Sequence, residues 1–519
     1  MGAKLIDDLD RIEGLQAGPI FQVPPGMFEI QYATLHFHRP ANEQPIGEFI
    51  KRIYLSESMT SFGVTGWIEL QDTWNLVRNG IILGQELLYL KFRTPESNLP
   101  VDFTKTPLAV YKVEDMQELQ SASGSLTQSA LTYKLHVCSP ELLRNDRIRI
   151  SETMQGTNSS LVSHILKKHL KTQKEIVVEE TDELLHYVMP NIHPFQAIQQ
   201  HLMNSAQGVR KNTGQGAQDV HRAGGTSNSV FKGNKVTDFY FYETTKGYRF
   251  KSLQEIFNYD MIFTIGSTPG SAGYRREMTT STQHEYVTPA DTLRNTLQGT
   301  WGMRHIRHSA STKSFSMTDS NYHRSLNNDR YSYVSETPVY SLNNIPDTNI
   351  RGEDARISDY PESRVIFDSS ASKQNSSIIK NDELVTYPWS VPGPDRALQR
   401  IMQTEHLMNY QLLNVRLHGI SGLEAGMVMY LILPDIGEGS GYLGGPAVWT
   451  NRYDNLWVIT RLSHHILTQG NKPAYYCDLT LSNLMTSTEQ VLPSYEGTGI
   501  LGPNPIGVRG GGRPHGSQG

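Results

Sequence analysis

Two separated stretches of this chain alternate apolar and polar residues with a period of two, and the material between them does not. In the first, Ala33, Leu35 and Phe37 interleave with Tyr32, Thr34 and His36, and Leu131, Tyr133, Leu135 and Val137 share one face of a later run. Ile53–Met59, Val64–Leu70, Glu86–Phe92 and Tyr111–Met116 read as further strands separated by glycine or polar turns. The second stretch, Gln411 to Leu484, sets Leu413, Val415 and Leu417 on one face and continues with Met427–Leu433, closed by Pro434-Asp435. Beyond the glycine-rich loop Gly437–Gly445, Leu456, Val458, Thr460 and Leu462 share a face, and Tyr475–Leu481 follows the turn Gly470-Asn471-Lys472-Pro473. Strands with one apolar face need a second layer or closure, so each stretch predicts a barrel or sandwich.

After Gly156 the period changes. Thr157, Asn158 or Ser159 caps a predicted helix whose apolar positions Leu161, Val162, Ile165, Leu166 and Leu170 recur at helical spacing. A short β-like piece, Glu175–Val178, precedes a second helix that starts at Pro194 and carries Phe195, Ile198 and Leu202. Gly208–Ser229 reads as a flexible loop, and Asp238–Tyr242 with Gly247–Phe250 as a hairpin around Glu243–Lys246, followed by a short helix over Ser252–Phe257. Ser309–Asn381, rich in Ser, Asn, Asp and Tyr, predicts long loops and irregular strands, and Asp395–Met408 a helix. Two barrels flanking an α/β insertion is the simplest arrangement, divided at 1–150, 151–207, 208–229, 230–394, 395–490 and a glycine-rich tail at 491–519.

A chain of 519 residues is too long for one ordinary core. The net charge of −5 supplies no overall basic field, so nucleic-acid wrapping by counterion release is not expected. Two cysteines, Cys138 and Cys477, lie in separate β-rich regions, which supports neither a disulfide framework nor a structural zinc site. No apolar run approaches the roughly 20 residues that span a bilayer, and Met1–Gly14 mixes Asp7, Asp8 and Asp10 with short apolar pieces, unlike a secretory signal. These features predict a soluble protein from a reducing compartment.

The candidate chemistry is thin. His284-Glu285 opens like a zinc-protease helix, but Thr288 stands where the second histidine is needed and Pro289 ends the helix. His36/His38 and the adjacent His464-His465 need further converging ligands, and Arg304, His305, Arg307 and His308 read as a solvated face or subunit contact. Ser421 has Gly419 before it but Leu423 where a nucleophile elbow needs glycine. Gly437-Glu438-Gly439-Ser440-Gly441 puts a carboxylate where a phosphate would approach, and Glu179/Glu180 and Asp182/Glu183 read as helix-entry or surface charge. The expectation is therefore no enzyme, with no catalytic, cofactor-binding or metal-ligating residue and no cofactor. The aromatic residues read as scattered, without a binding stripe.

The order of elements resembles the baseplate hub proteins of contractile-tailed bacteriophages, a family related to the N-terminal part of type VI secretion spike proteins. Lys51–Met59 followed by Gly66–Asp72 is similar to the opening strands of that family's first tube-forming domain, and Thr132–Glu141 to its later strand and exit. Ser159–Leu170, Met189-Pro190-Asn191 and Pro194-Phe195 resemble the helical insertion, and Phe239–Glu243 with Gly247–Leu253 the hairpin after it. Leu456–Ser463 and Ala474–Asn483 resemble the closing strands of the second tube domain. The resemblance implies a mainly β fold with α+β insertions, in which two tube-type β-barrel domains flank a small α/β module. It further implies a homotrimeric, pseudo-sixfold ring that joins the tail tube protein to the central spike protein, contacts other baseplate wedge proteins and lines the channel through which DNA passes. Such a subunit would be a virion component, assembled in the host cytoplasm, without specific nucleic-acid recognition. The alternatives are a tail-associated peptidoglycan hydrolase, for which only Ser309–Asn381 and the tail leave room, and a glycan-binding adhesin.

Overall fold

The computed structural model describes residues 24–37, 43–95, 97, 99–119, 130–181, 184–203, 239–252, 255–256, 264–266, 281–288, 292–299, 302–309, 313–321, 361–368, 375–380, 383–388, 412–432, 455–468 and 473–482. Outside them lie His38, the Gly208–Ser229 loop, Asp182/Glu183, the expected helix Asp395–Met408, the loop Gly437–Gly445, the tail Gly502–Gly519 and half of the expected helix Ser252–Phe257.

The fold is mainly β. Among the described residues fourteen strands join in one sheet, whose main path runs from Gln283–Thr288 through Leu412–His418, Ala474–Ser482, Asn455–Leu467, Ile50–Ser58, Thr65–Asp72, Ala130–Cys138, Leu108–Leu119, Leu87–Arg93 and Glu29–His36 to Glu43–Pro45. Both β-rich ends of the chain contribute to it. They meet where Asn455–Leu467 runs antiparallel to Ile50–Ser58, in register from Arg461 opposite Ser58 to Leu467 opposite Arg52. Among the described residues the path stays open at both ends and no closed barrel is present. One apolar core serves both contributions: Leu35, Ile53, Leu55, Ile68, Phe92, Tyr133 and Leu135 are buried with Leu413, Val415, Trp457, Ile459, Tyr475 and Leu479. The sheet curls around it, because Phe92 and Tyr475, far apart in strand order, bring their rings within 5.9 Å, edge to face.

The predicted alternation holds at Leu131, Tyr133, Leu135 and Val137 and at Leu413, Val415 and Leu417, all buried. It fails along Asn455–Leu467. Core-facing positions there are Trp457 and Ile459 and then Leu462 and Ile466, with a register shift between Ile459 and Arg461. A β-bulge inserts one residue, and because the side-chain period is two, everything beyond it changes face. The expected shared face Leu456/Val458/Thr460/Leu462 is therefore split.

The insertion forms a second core. Thr157 Oγ1 accepts from the Ser160 N–H and caps the helix Asn158–His164, which continues as a π-helical turn over Ile165–His169. Leu161, Val162, Ile165, Leu166 and Leu170 are buried with Phe195, Ile198 and Leu202 of the helical segments Pro194–Ala197 and Ile198–Met203. The hairpin Phe239–Thr244/Gly247–Ser252 packs Phe239, Phe241, Tyr248 and Phe250 into this same core, and Glu175–Val178 adds a parallel strand to it. Gly247 is required there: its φ is +146°, and a Cβ would lie 2.3 Å from the Glu175 carbonyl oxygen.

The polar stretch expected as loops and irregular strands contains regular ladders. Gly302–Ser309 pairs antiparallel with Ser314–Asn321 and parallel with Val365–Asp368, and Asn375–Lys380 pairs with Glu383–Pro388. In the three-stranded ladder Met303 is buried, but Phe315, Met317 and Phe367 remain 67%, 56% and 76% exposed, so one face is only partly covered.

Candidate functional site

The large sheet buries one face and leaves the other polar. Across five adjacent strands on that polar face, Tyr476, His465, Tyr54, Trp67 and His136 stand directly opposite one another in register. Tyr476 and His465 stack at 4.7 Å, His465 and Tyr54 approach to 4.9 Å, and Tyr54 stacks on Trp67 at 5.6 Å. Cations flank the row: the Arg416 guanidinium lies 4.5 Å over the Tyr476 ring and Lys134 Nζ 5.2 Å over Trp67. Arg416 also forks onto Asp478 at 2.6 and 2.9 Å, and His465 lies 3.2 Å from the same carboxylate. Burial raises the Asp478 pKa, but the hydrogen bonds from Arg416 and His465 outweigh it and hold the carboxyl below its usual range. The row spans both β-rich ends, and cross-strand rings of this kind are the unit of sheet stabilisation. Its members come from five separated segments, so reading the aromatics along the chain missed it.

Two buried ionic clusters fasten the insertion to the sheet. Lys174 Nζ reaches Glu141 Oε2 at 2.8 Å and donates to Glu243 Oε1. Glu243 also accepts from Ser139 Oγ at 2.9 Å and from the Val64 N–H at 3.1 Å, and Glu141 from Thr172 Oγ1 at 2.8 Å. Two carboxylates thus share one ammonium. Burial pushes the Glu243 pKa up, whereas for Glu141 burial is outweighed by the Lys174 charge together with the hydrogen bonds from Lys174 and Thr172, which lower it. In the second cluster Glu57 accepts from the N–H groups of Ala425 (2.5 Å) and Thr245 (2.6 Å). Neighbouring Glu424 accepts from Thr244 Oγ1 at 2.9 Å and pairs with Lys246 at 2.5 Å and Arg249 at 3.3 Å. Burial, and then the Glu424 charge, push Glu57 up to about 8.

The described positions singled out for chemistry are placed as follows. Ser421 is buried in a reciprocal clasp between the two ends of the chain. Its hydroxyl donates to Leu99 O at 2.7 Å and accepts from the Thr94 N–H at 3.1 Å, while Thr94 Oγ1 donates to Gly419 O and accepts from the Ser421 N–H, both at 3.0 Å. His284 and Glu285 are exposed on the strand Gln283–Thr288, where no helix forms. His464 and His465 point to opposite faces: His464 is fully buried, its pKa lowered to about 3 by burial and by His465, with Nδ1 2.8 Å from the Tyr475 hydroxyl. His36 Nε2 lies 3.6 Å from Glu43. Arg304 is occupied by Asp319, at 2.8 and 2.9 Å, and by Glu362 at 3.1 Å, which leaves little of it for an external anion. Glu179 accepts from the Ser252 N–H at 2.7 Å, and both cysteines are free and buried.

Comparison with protein-family models and with curated proteins returns no match. Among solved structures, the chain is similar to a tail protein from Neisseria meningitidis MC58 at 8% identity, over 87% of this chain and 96% of that one, with a TM-score of 0.43. It is also similar to the 43 kDa tail protein of prophage MuSo2 from Shewanella oneidensis, at 6% identity over 89% and 100% of the two chains, TM-score 0.43. A third is an E. coli component of the type VI secretion system, at 9% identity over 89% and 78%, TM-score 0.37.

Proposed function

We propose that this chain is a structural subunit of a contractile phage tail, the baseplate hub, acting by shape and assembly rather than by catalysis. The observation that carries the reading is the antiparallel joint between Ile50–Ser58 and Asn455–Leu467, which turns two β-rich ends into one sheet with a continuous polar face. Among the described residues the path terminates at Gln283–Thr288 and Glu43–Pro45, and the edge strands of an open sheet call for cover. In a closed homotrimer, neighbouring copies extend the sheet around an axis, each contributes two tube-type modules, and the six modules match a sixfold tube on one side and hold a spike on the other. The partners are then further copies of the chain, the tail tube protein, the central spike protein and baseplate wedge proteins, with DNA passing along the lumen of the assembled virion. The divisions 1–150, 151–207, 230–394 and 395–490 describe the modules of that assembly.

Solution mass measurement with negative-stain imaging tests the proposal. A trimer with an axial hole is expected; a monomer that clears cell-wall suspensions would replace the hub with a hydrolase. The aromatic row favours one second reading, a glycan-binding surface, since flat, partly exposed rings flanked by cations suit sugar stacking. A channel-free oligomer that retains glycans through Trp67, and loses them in Trp67→Ala, would establish that reading instead.

A further inference from the structure

We propose that Glu152, His164 and His169 form a binding site for one divalent transition-metal ion of the zinc class. The ligand atoms of these three residues lie within 4.8 Å of one another. His169 Nε2 is 2.8 Å and His164 Nε2 3.5 Å from the same atom, Glu152 Oε1. Two imidazoles and one carboxylate are a donor set for zinc and its neighbours, and three protein ligands leave a position for water or a fourth group.

The helix geometry is what brings the set together. His164 and His169 are five residues apart, and at 3.6 residues per turn an α-helix would turn them about 140° away from each other. Here the helix widens at Ile165–His169, and the Leu170 N–H donates to Ile165 O, five residues back, at 3.2 Å. That π turn carries His169 onto the face of His164, with ring centroids 6.0 Å apart and planes at 75°. Wide turns of this kind concentrate at functional positions in helices. Glu152 faces the pair from the segment before the strand Thr153–Thr157.

Lys168 joins the cluster on the other carboxylate oxygen, Nζ to Oε2 at 2.6 Å. An ion bound through Oε1 leaves that contact intact, so Lys168 orients Glu152 as an outer-shell partner. Metal–nitrogen bonds of about 2.0–2.1 Å set tetrahedral ligand edges at about 3.3–3.5 Å. The His164 edge already fits, and the His169 edge opens by about 0.5 Å. His164 is half-exposed, which gives the ion a route from solvent. The bound ion ties the helix to the chain that precedes it and stiffens the insertion.

The test is titration of the full chain with Zn2+, followed calorimetrically, and with Co2+, followed by its visible d–d absorption. One ion per chain is expected, with a Co2+ spectrum of tetrahedral intensity and a rise in melting temperature on loading. His164→Gln and His169→Gln should each weaken binding at least about tenfold, and the double variant should reduce uptake to the background of the remaining histidines. A wild-type chain that takes up no ion, or a double variant that binds as the wild type does, overturns the proposal. If the double variant fails to fold, the wild-type stoichiometry and Co2+ spectrum decide: an octahedral, water-like spectrum also overturns it.

Discussion

The fourteen-stranded sheet and the three-stranded sheet of Gly302–Ser309, Ser314–Asn321 and Val365–Asp368 use the same backbone geometry with opposite consequences for their side chains. In the large sheet one face buries apolar positions from Ala33 to Leu481 in a shared core. In the small one Phe315, Met317 and Phe367 stay exposed, and its regular order rests on ladder hydrogen bonds and ion pairs such as Arg304–Asp319. Burial of one face is what writes alternation into a sequence. A sheet that buries Met303 but leaves Phe315, Met317 and Phe367 exposed leaves a weaker record.

Substitutions test this contrast from its strong end to its weak end. Phe92→Ala removes a fully buried ring from the shared core and should cost about 3–5 kcal/mol in denaturant unfolding. Lys174→Met leaves Glu141 and Glu243 buried without their cation, and about 3–5 kcal/mol is expected to be lost, measured by the same unfolding curve. A smaller effect follows from Glu57. Its pKa rises from an ordinary 4.5 to about 8 on folding, so between those values the native state holds a proton that the unfolded state has released. Stability should therefore fall as pH rises across that window, and Glu57→Gln should flatten the decline in melting temperature measured from pH 5 to pH 8. At the weak end, Phe367→Ser should change stability by no more than about 0.5 kcal/mol; a loss comparable to that of Phe92→Ala would mean that the small sheet has a core of its own.

Much of the architecture was legible residue by residue. The alternation at Leu131–Val137 and Leu413–Leu417, the Thr157 cap and the apolar positions through Leu170 all correspond to buried faces. What escaped depended on events that a local period does not encode. The bulge between Ile459 and Arg461 moves the later core positions by one residue. The row from Tyr476 to His136 runs across strands rather than along them. His164 and His169 stand at a spacing that is meaningless in an α-helix and meaningful only on the π turn. Ser421, weighed as a nucleophile from its glycine context, is instead a tie between Thr94 and Leu99, because hydroxyl spacing says nothing about which carbonyl the fold will bring near.

The joint between Ile50–Ser58 and Asn455–Leu467 sets a schedule for biosynthesis. Ser58 Oγ donates to the carbonyl oxygen of Thr460, 402 residues further along the chain. At roughly 5–20 residues per second, one side of the Ile50–Ser58 strand waits about 20–80 s on the ribosome before its mate has been made. For that interval the nascent chain carries a bare strand edge, and two polysomal neighbours in the same condition can zip onto each other. Its yield in a cell should therefore depend on what shields that edge during translation.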